Sequence, residues 1–160
     1  VITAIYRHHV LNGTANFEIE PPFSSEISMR IGQSHAAGYP ILVDMHQNTI
    51  CDYAYAGPHK PRAAYNQTVE DSVYVSDDQR GNGIGRQLLA QLIEAAAARG
   101  YYQMMAVIGD SDNTASIGLH RALGFRHIGT AQEIGFKFGR RLDIVYMQRA
   151  LQSAPQSGST

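Results

Sequence analysis

The sequence predicts a single α/β domain, and three observations lead there. Apolar residues recur at helical spacing in some stretches and in alternating or β-branched runs in others. Turn-forming residues separate these stretches at short intervals, with no repeat and no linker between them. Finally, 160 residues with 44% hydrophobic and 17% charged side chains make one average domain. A chain of that size buries roughly two-thirds of its unfolded surface without needing disulfides or metal.

The elements follow in order. Val1, Ile2, Ile5, Tyr6 and Val10 share one helix face over Val1–Leu11, and Asn12-Gly13 stops it. Pro21-Pro22 breaks the chain, and Ser24 is the expected N-cap of a second helix running to Ala37 before Gly38. Tyr39–Met45 and Thr49–Ala56 read as a hairpin around His46-Gln47-Asn48, and Gly57-Pro58 opens a loop with a short helical turn near Ala63–Asn66. Thr68–Ser76, β-branched or aromatic at Val69, Val73, Tyr74 and Val75, is the expected central strand. Ile84, Leu88, Leu89, Leu92, Ile93 and Ala96 form the clearest helical stripe, closed by Arg99-Gly100. Tyr101–Ile108 is then a buried strand, Gly109–Asn113 a polar loop, and a short helix reaches Leu123. Two strands divide Phe125–Leu151 around a turn at Gly135–Arg141, so the domain spans 1–151 and the Ser/Gly/Pro/Gln tail 152–160 is expected to be disordered.

Charge and cysteine exclude several classes. Thirteen Lys and Arg against fourteen Asp and Glu leave a net charge of −1, which gives no footprint for nucleic acid or a polybasic membrane anchor. No apolar run reaches the roughly 18–20 residues of a membrane span, and the N-terminus does not read as a signal peptide. The lone Cys51 cannot form an internal bridge and fits a reducing cytosol. It has no basic neighbour to make it a nucleophile. The seven histidines include no H-x-x-x-H, and His8-His9 diverge by about 100° on a helix, so no metal is expected. The chain opens at Val1 already inside a helical pattern, from which missing upstream sequence is expected.

Fifteen glycines stand out by where they fall. In Ser76-Asp77-Asp78-Gln79-Arg80-Gly81-Asn82-Gly83-Ile84-Gly85-Arg86 a strand passes through a glycine-rich turn into a helix start. Such a turn converges backbone N–H groups and adds the partial positive charge of a helix N-terminus, a site for phosphate or pyrophosphate. The pattern is neither G-x-G-x-x-G nor a Walker A loop. It could also be a tight strand–helix turn with no ligand.

Arg80-x-x-Gly83-x-Gly85 resembles the acyl-CoA signature of the GNAT N-acetyltransferases, and Asn113-Thr114-Ala115-Ser116-Ile117-Gly118-Leu119-His120-Arg121-Ala122-Leu123-Gly124-Phe125 resembles the other half of that cofactor site. Tyr55–Lys60, Thr68–Val75 and Phe136–Asp143 are similar to the phosphinothricin and methionine sulfoximine acetyltransferase branch, so the likeness covers nearly the whole chain to Leu151. It implies a mixed, mostly antiparallel sheet flanked by helices, with the family's first strand absent from this numbering. It further implies a cytoplasmic homodimer that uses acetyl-CoA as co-substrate, without metal, to acetylate the α-amine of a small amino acid or analogue in a ternary complex.

Roles transfer residue by residue. Glu70 matches the general base that must deprotonate an ammonium, and is otherwise a solvated carboxylate beside Asp71. The main chain of Val73, Tyr74 and Val75 matches the oxyanion-binding strand, and those residues are otherwise plain core. His120 stands where many relatives place the tyrosine that protonates the leaving thiolate, and is otherwise an idle helix residue. Arg80, Gly81, Asn82, Gly83, Ile84, Gly85 and Arg86 form the phosphate turn. Asn113 and Ser116 would meet the pantetheine arm, or serve only as an N-cap and a helix-face hydroxyl. Lys60, Arg62 and Tyr65 are candidates for the acceptor's carboxylate, with Phe17, Phe136, Lys137 and Phe138 as its wall. Here the chain departs from the phosphinothricin pattern Lys-His-Gly-x-Trp-His-Asp: Phe138 and Leu142 stand at the histidine positions. Arg141 replaces the Trp of the methionine sulfoximine pattern, and His59 stands where relatives often have Trp. Acetylation of a protein N-terminus or a polyamine, and non-catalytic acyl-CoA sensing, remain alternatives. A polyamine site would favour acidic residues, and these candidates are basic.

Overall fold

A computed structural model describes residues 1–152; the rest of the expected disordered tail lies outside the described residues. Helices α1 (Ile2–Asn12), α2 (Ser24–Ala36), α3 (Ile84–Ala98) and α4 (Thr114–Ala122) flank one six-stranded sheet. Its strands are β1 (Ile41–His46), β2 (Thr49–Pro58), β3 (Thr68–Tyr74), β4 (Gln103–Gly109), β5 (Arg126–Lys137) and β6 (Arg140–Ala150). They lie in the order β1-β2-β3-β4-β6-β5. Every neighbouring pair is antiparallel except β3 with β4. That single parallel contact requires a crossover, and α3 supplies it.

Local chemistry shifts several expected boundaries. Phe23, not Ser24, occupies the N-cap of α2: held extended after Pro21-Pro22, it offers its carbonyl to the amides of Glu26 and Ile27, and Ser24 becomes the first helical residue. Tyr39 stays out of β1 because its amide closes the helix exit onto the Ser34 carbonyl. The β1–β2 hairpin turns on Gln47 and Asn48, both at positive φ (47° and 63°), the geometry a two-residue turn needs. β2 continues through Gly57-Pro58, which pair with Glu70 and Val69. β3 stops at Tyr74 because the Asp52 carboxylate draws Ser76 aside, accepting from its amide at 2.6 Å and its hydroxyl at 3.0 Å. β4 begins at Gln103 since the Tyr101 amide still caps α3 on Ala96. The final turn shrinks to Phe138-Gly139, leaving Gly135 inside β5. Gln152 is anchored by its side chain to the carbonyls of Ala97 and Tyr101.

Two cores result. The α3 stripe (Leu88, Leu89, Leu92, Ile93, Ala96) packs on Val69, Met104, Ala106, Ile108 and Met147. On the other face, α1 and α2 contribute Tyr6, Val10 and Ile27 to a layer that includes Tyr53, Tyr55 and Tyr74. Period-two alternation along β3 therefore sends Val69, Asp71 and Val73 towards α3 and α4, and Glu70, Ser72 and Tyr74 towards α1.

Candidate active site

β3 and β4 are joined only at Thr68/Gln103, Val69/Met104 and Glu70/Met105, although they continue to Tyr74 and Gly109. Beyond Glu70 they diverge, and a cleft of about 480 Å³ opens between Asp71–Val75 on one side and Ala106–Ile108 on the other. Main-chain groups on the inner edges lose their ladder partners there. Such groups are ready donors and acceptors for a ligand laid between the strands.

The glycine turn forms one end of this cleft. Gly81 and Gly83 have φ of +83° and +78°, which side-chain-bearing residues rarely adopt. Gly83 caps α3 with no side chain, so the first amides of the helix stay open where Gly83, Ile84, Gly85 and Arg86 line the wall. A Cβ on Gly85 would come within 3.3 Å of Val75, so glycine lets α3 sit close against the strand exit. Arg80 lines the cleft while paired at 3.0 Å with Asp77, and Asn82 turns aside to Gln79. Asn113 is the N-cap of α4, its side chain accepting from the Ser116 amide at 3.2 Å, and both residues face the cleft. The cap and the wall are one position.

On the α1 face, Glu70 is half-buried and lies 3.1 Å from His59 Nδ1. Burial pushes its carboxyl up, against the lowering hydrogen bond and charge of His59. On the opposite face, buried Asp71 lies 2.9 Å from Nε2 of buried His120, and both line the cleft. Burial alone would lower the His120 pKa, but Asp71 overrides it and holds the imidazole above its ordinary value.

The α1–α2 loop covers the outer end. The Phe17 ring fills a notch over two glycines: a Cβ on Gly135 would fall 2.2 Å from it, and one on Gly109 at 2.7 Å. Buried Lys137 donates to the Asn16 carbonyl at 2.6 Å, and desolvation lowers its pKa. Thr14 and Arg140 both donate to the Asp110 carboxylate. Behind the loop stand Tyr74, which accepts from Asn16 Nδ2, and Tyr6, whose hydroxyl donates to Glu18 and is pushed up to about 12, chiefly by burial. Phe136 and Phe138 are 67% and 55% exposed, with Lys137 Nζ 5.1 Å from the Phe138 ring centroid. Lys60 lies over the Tyr65 ring, which meets His59 edge-on, and Arg62 is exposed beside them.

A strand splay walled by a glycine turn at a helix start has a counterpart among known proteins. Residues 3–125 match the model of the acetyltransferase (GNAT) family. The chain belongs to the GNAT acetyltransferase family. It is 48% identical over 152 residues to a phosphinothricin N-acetyltransferase of Alcaligenes faecalis, covering 95% of this chain and 77% of that one. An L-methionine sulfoximine/L-methionine sulfone acetyltransferase of Pseudomonas aeruginosa is 45% identical, with 96% and 91% covered. Among solved structures, a GNAT phosphinothricin acetyltransferase of Sinorhizobium meliloti in complex with acetyl-CoA superposes with a TM-score of 0.93 at 43% identity, covering 99% of this chain and 86% of that one.

As a GNAT acetyltransferase, the chain has the expected mixed α/β sheet. Among the described residues no helix is long and apolar enough to cross a membrane, and no three His, Cys, Asp or Glu side chains gather as a metal site. No motif in the sequence marks Asn16, Asp52 or Asp71. Asp71 was detectable: beside a carboxylate on a strand, the next residue faces the other way. The contacts of Asp52 and Asn16 span 24 and 58 positions of chain, and no local pattern carries them.

Proposed function

We propose that this GNAT enzyme transfers acetyl from acetyl-CoA to the α-amine of a small amino acid or analogue, of the methionine sulfoximine, methionine sulfone or phosphinothricin type, directly within a ternary complex. The observation that carries the reading is the splay at Glu70: a carboxylate with a raised pKa at the fork, with phosphate-binding geometry on the far side. Bound acetyl-CoA supplies an acyl thioester. Gly81, Gly83, Gly85 and the open α3 amides, with Arg80 and Arg86, would hold its phosphates. Ser116 and Asn113 flank the arm. The main chain of Val73, Tyr74 and Val75 offers N–H groups to the charge that develops on the carbonyl oxygen.

Glu70 takes a proton from the acceptor ammonium and frees its lone pair. His120 stands across the strand, on the side where the thiolate leaves. Arg62 and Lys60 approach the acceptor's carboxylate from the loop before β3, and Phe17 and Lys137 hold the opposite wall. The protein is further proposed to act as a cytoplasmic homodimer, in keeping with the family likeness. Thiol release from acetyl-CoA across a panel of methionine sulfoximine, methionine sulfone, phosphinothricin, natural amino acids and short peptides tests this reading. Turnover is expected with the small amino-acid analogues, and turnover confined to peptides would overturn it. The peptide reading has its own support in a solved ribosomal-protein-alanine N-acetyltransferase of Brucella melitensis, 38% identical with a TM-score of 0.90.

A further inference from the structure

Asp71 and His120 form the most enclosed ion pair among the described residues, with side-chain exposures of 2% and 5%. Their hydrogen bonding fixes where the protons lie. His120 Nδ1 is 2.7 Å from the Ser116 carbonyl, which can only accept, so Nδ1 carries hydrogen. Nε2 then meets Asp71 Oδ2 at 2.9 Å, a contact that requires a proton between the two atoms. Asp71 Oδ1 is buried with no hydrogen-bond partner among the described residues, where His120 is the one group that answers the charge of this carboxylate. Removing the proton would leave an uncompensated buried anion against a nitrogen lone pair, a costly arrangement.

We propose that Asp71 is a positioning residue that fixes the His120 ring on the cleft wall as an imidazolium, keeping a proton at hand for the sulfur of the departing coenzyme. This rests on the acetyltransferase reading above. As the C–S bond breaks, with its electron pair staying on sulfur, the Nε2 proton leaves its hydrogen bond to Asp71 for the sulfur and His120 becomes neutral, Nδ1–H still on Ser116. Bare Nε2 then faces the Asp71 carboxylate, which drives reprotonation from water. Over one cycle the acceptor ammonium sheds two protons: one remains in water and one replaces the proton that His120 lent.

The surroundings leave Asp71 in control. Ser116 faces the ring from its own helix, and the Phe125 ring, just before β5, meets it edge-to-face with centroids 5.0 Å apart. The cleft residues of β4 at this level, Ala106, Val107 and Ile108, carry no titratable group, and neither does Leu119 on α4.

The test reads His120 directly. In imidazole-labelled protein without ligand, its NMR titration should lie above the ordinary value of about 6.5, and Asp71→Asn should bring it down. In parallel, the alkaline limb of the kcat–pH profile should move to lower pH in Asp71→Asn, with kcat near pH 8 falling about 100-fold and KM for acetyl-CoA within about twofold. Asp71→Glu, which keeps the carboxylate, should restore the raised titration and part of kcat. A native His120 titrating at or below its ordinary value would overturn the proposal, and so would an Asp71→Asn enzyme whose titration and alkaline limb stay in place. If Asp71→Asn does not fold, the native titration decides alone. Failure of every acceptor in the panel would refute the acetyltransferase reading and leave the titration readable.

Discussion

Glu70 and Asp71 are adjacent carboxylates on one strand, and they face different chemistry. Glu70 points to the α1 side, half-buried, where His59 touches it and water reaches it. Asp71 points to the α3 and α4 side, enclosed, its one partner the His120 imidazole. Two successive residues of one strand are thus enough to place a proton acceptor and a proton store on opposite sides of one cleft. Period-two alternation makes this separation, burial raises the Glu70 carboxyl, and Asp71 raises the His120 imidazole against its own burial.

The largest effect should come from removing the acceptor-side carboxylate. Glu70→Gln keeps the shape and loses the base, and kcat is expected to fall about 100- to 10,000-fold with acetyl-CoA binding retained. Full activity at neutral pH in that variant would break the contrast between the two faces. Gly135→Ala comes next. Its Cβ would overlap the Phe17 ring at 2.2 Å, so the loop must move, at a cost of about 1–3 kcal/mol to stability. KM for the acceptor should rise while KM for acetyl-CoA stays level, and steady-state kinetics separates the two. The smallest change sharpens the comparison most. His59→Gln removes the hydrogen bond and charge that oppose the burial of Glu70. Glu70 must be ionised to act, so its raised pKa places the acid limb of kcat/KM above the usual carboxylate range. Losing His59 should move that limb to still higher pH and leave the alkaline limb unmoved.

The fold was largely legible because its signals are local. The α3 stripe from Ile84 to Ala96, the β-branched run of β3 and the glycine turn each announce themselves within about a dozen residues. What escaped was set by distant partners. Nothing near Ser76 says that Asp52 will end β3, and nothing near Gly135 says that Phe17 will lie on it. The candidate site divides the same way. Gly81, Gly83, Gly85, Asn113 and Ser116 all line the cleft, since contiguous motifs carry them. Phe136 and Phe138, expected at the acceptor wall, are both exposed: alternation about buried Lys137 faces Phe136 to the other side of β5, while Phe138 sits in the turn with its ring centroid 5.1 Å from Lys137 Nζ.

The short ladder between β3 and β4 also divides the sheet mechanically. β1-β2-β3 and β4-β6-β5 are two leaves sharing a spine of three residue pairs. Across the open edge runs a strap: α1 rests on the first leaf through Tyr6 and Tyr74, while Thr14, Asn16 and Phe17 fasten to Asp110, Lys137 and Gly135 on the second. The gape of the leaves is therefore set by a tether of a few residues outside the reacting centre. Sequence drift in that tether can resize the mouth, and so the guest it admits, without disturbing either carboxylate.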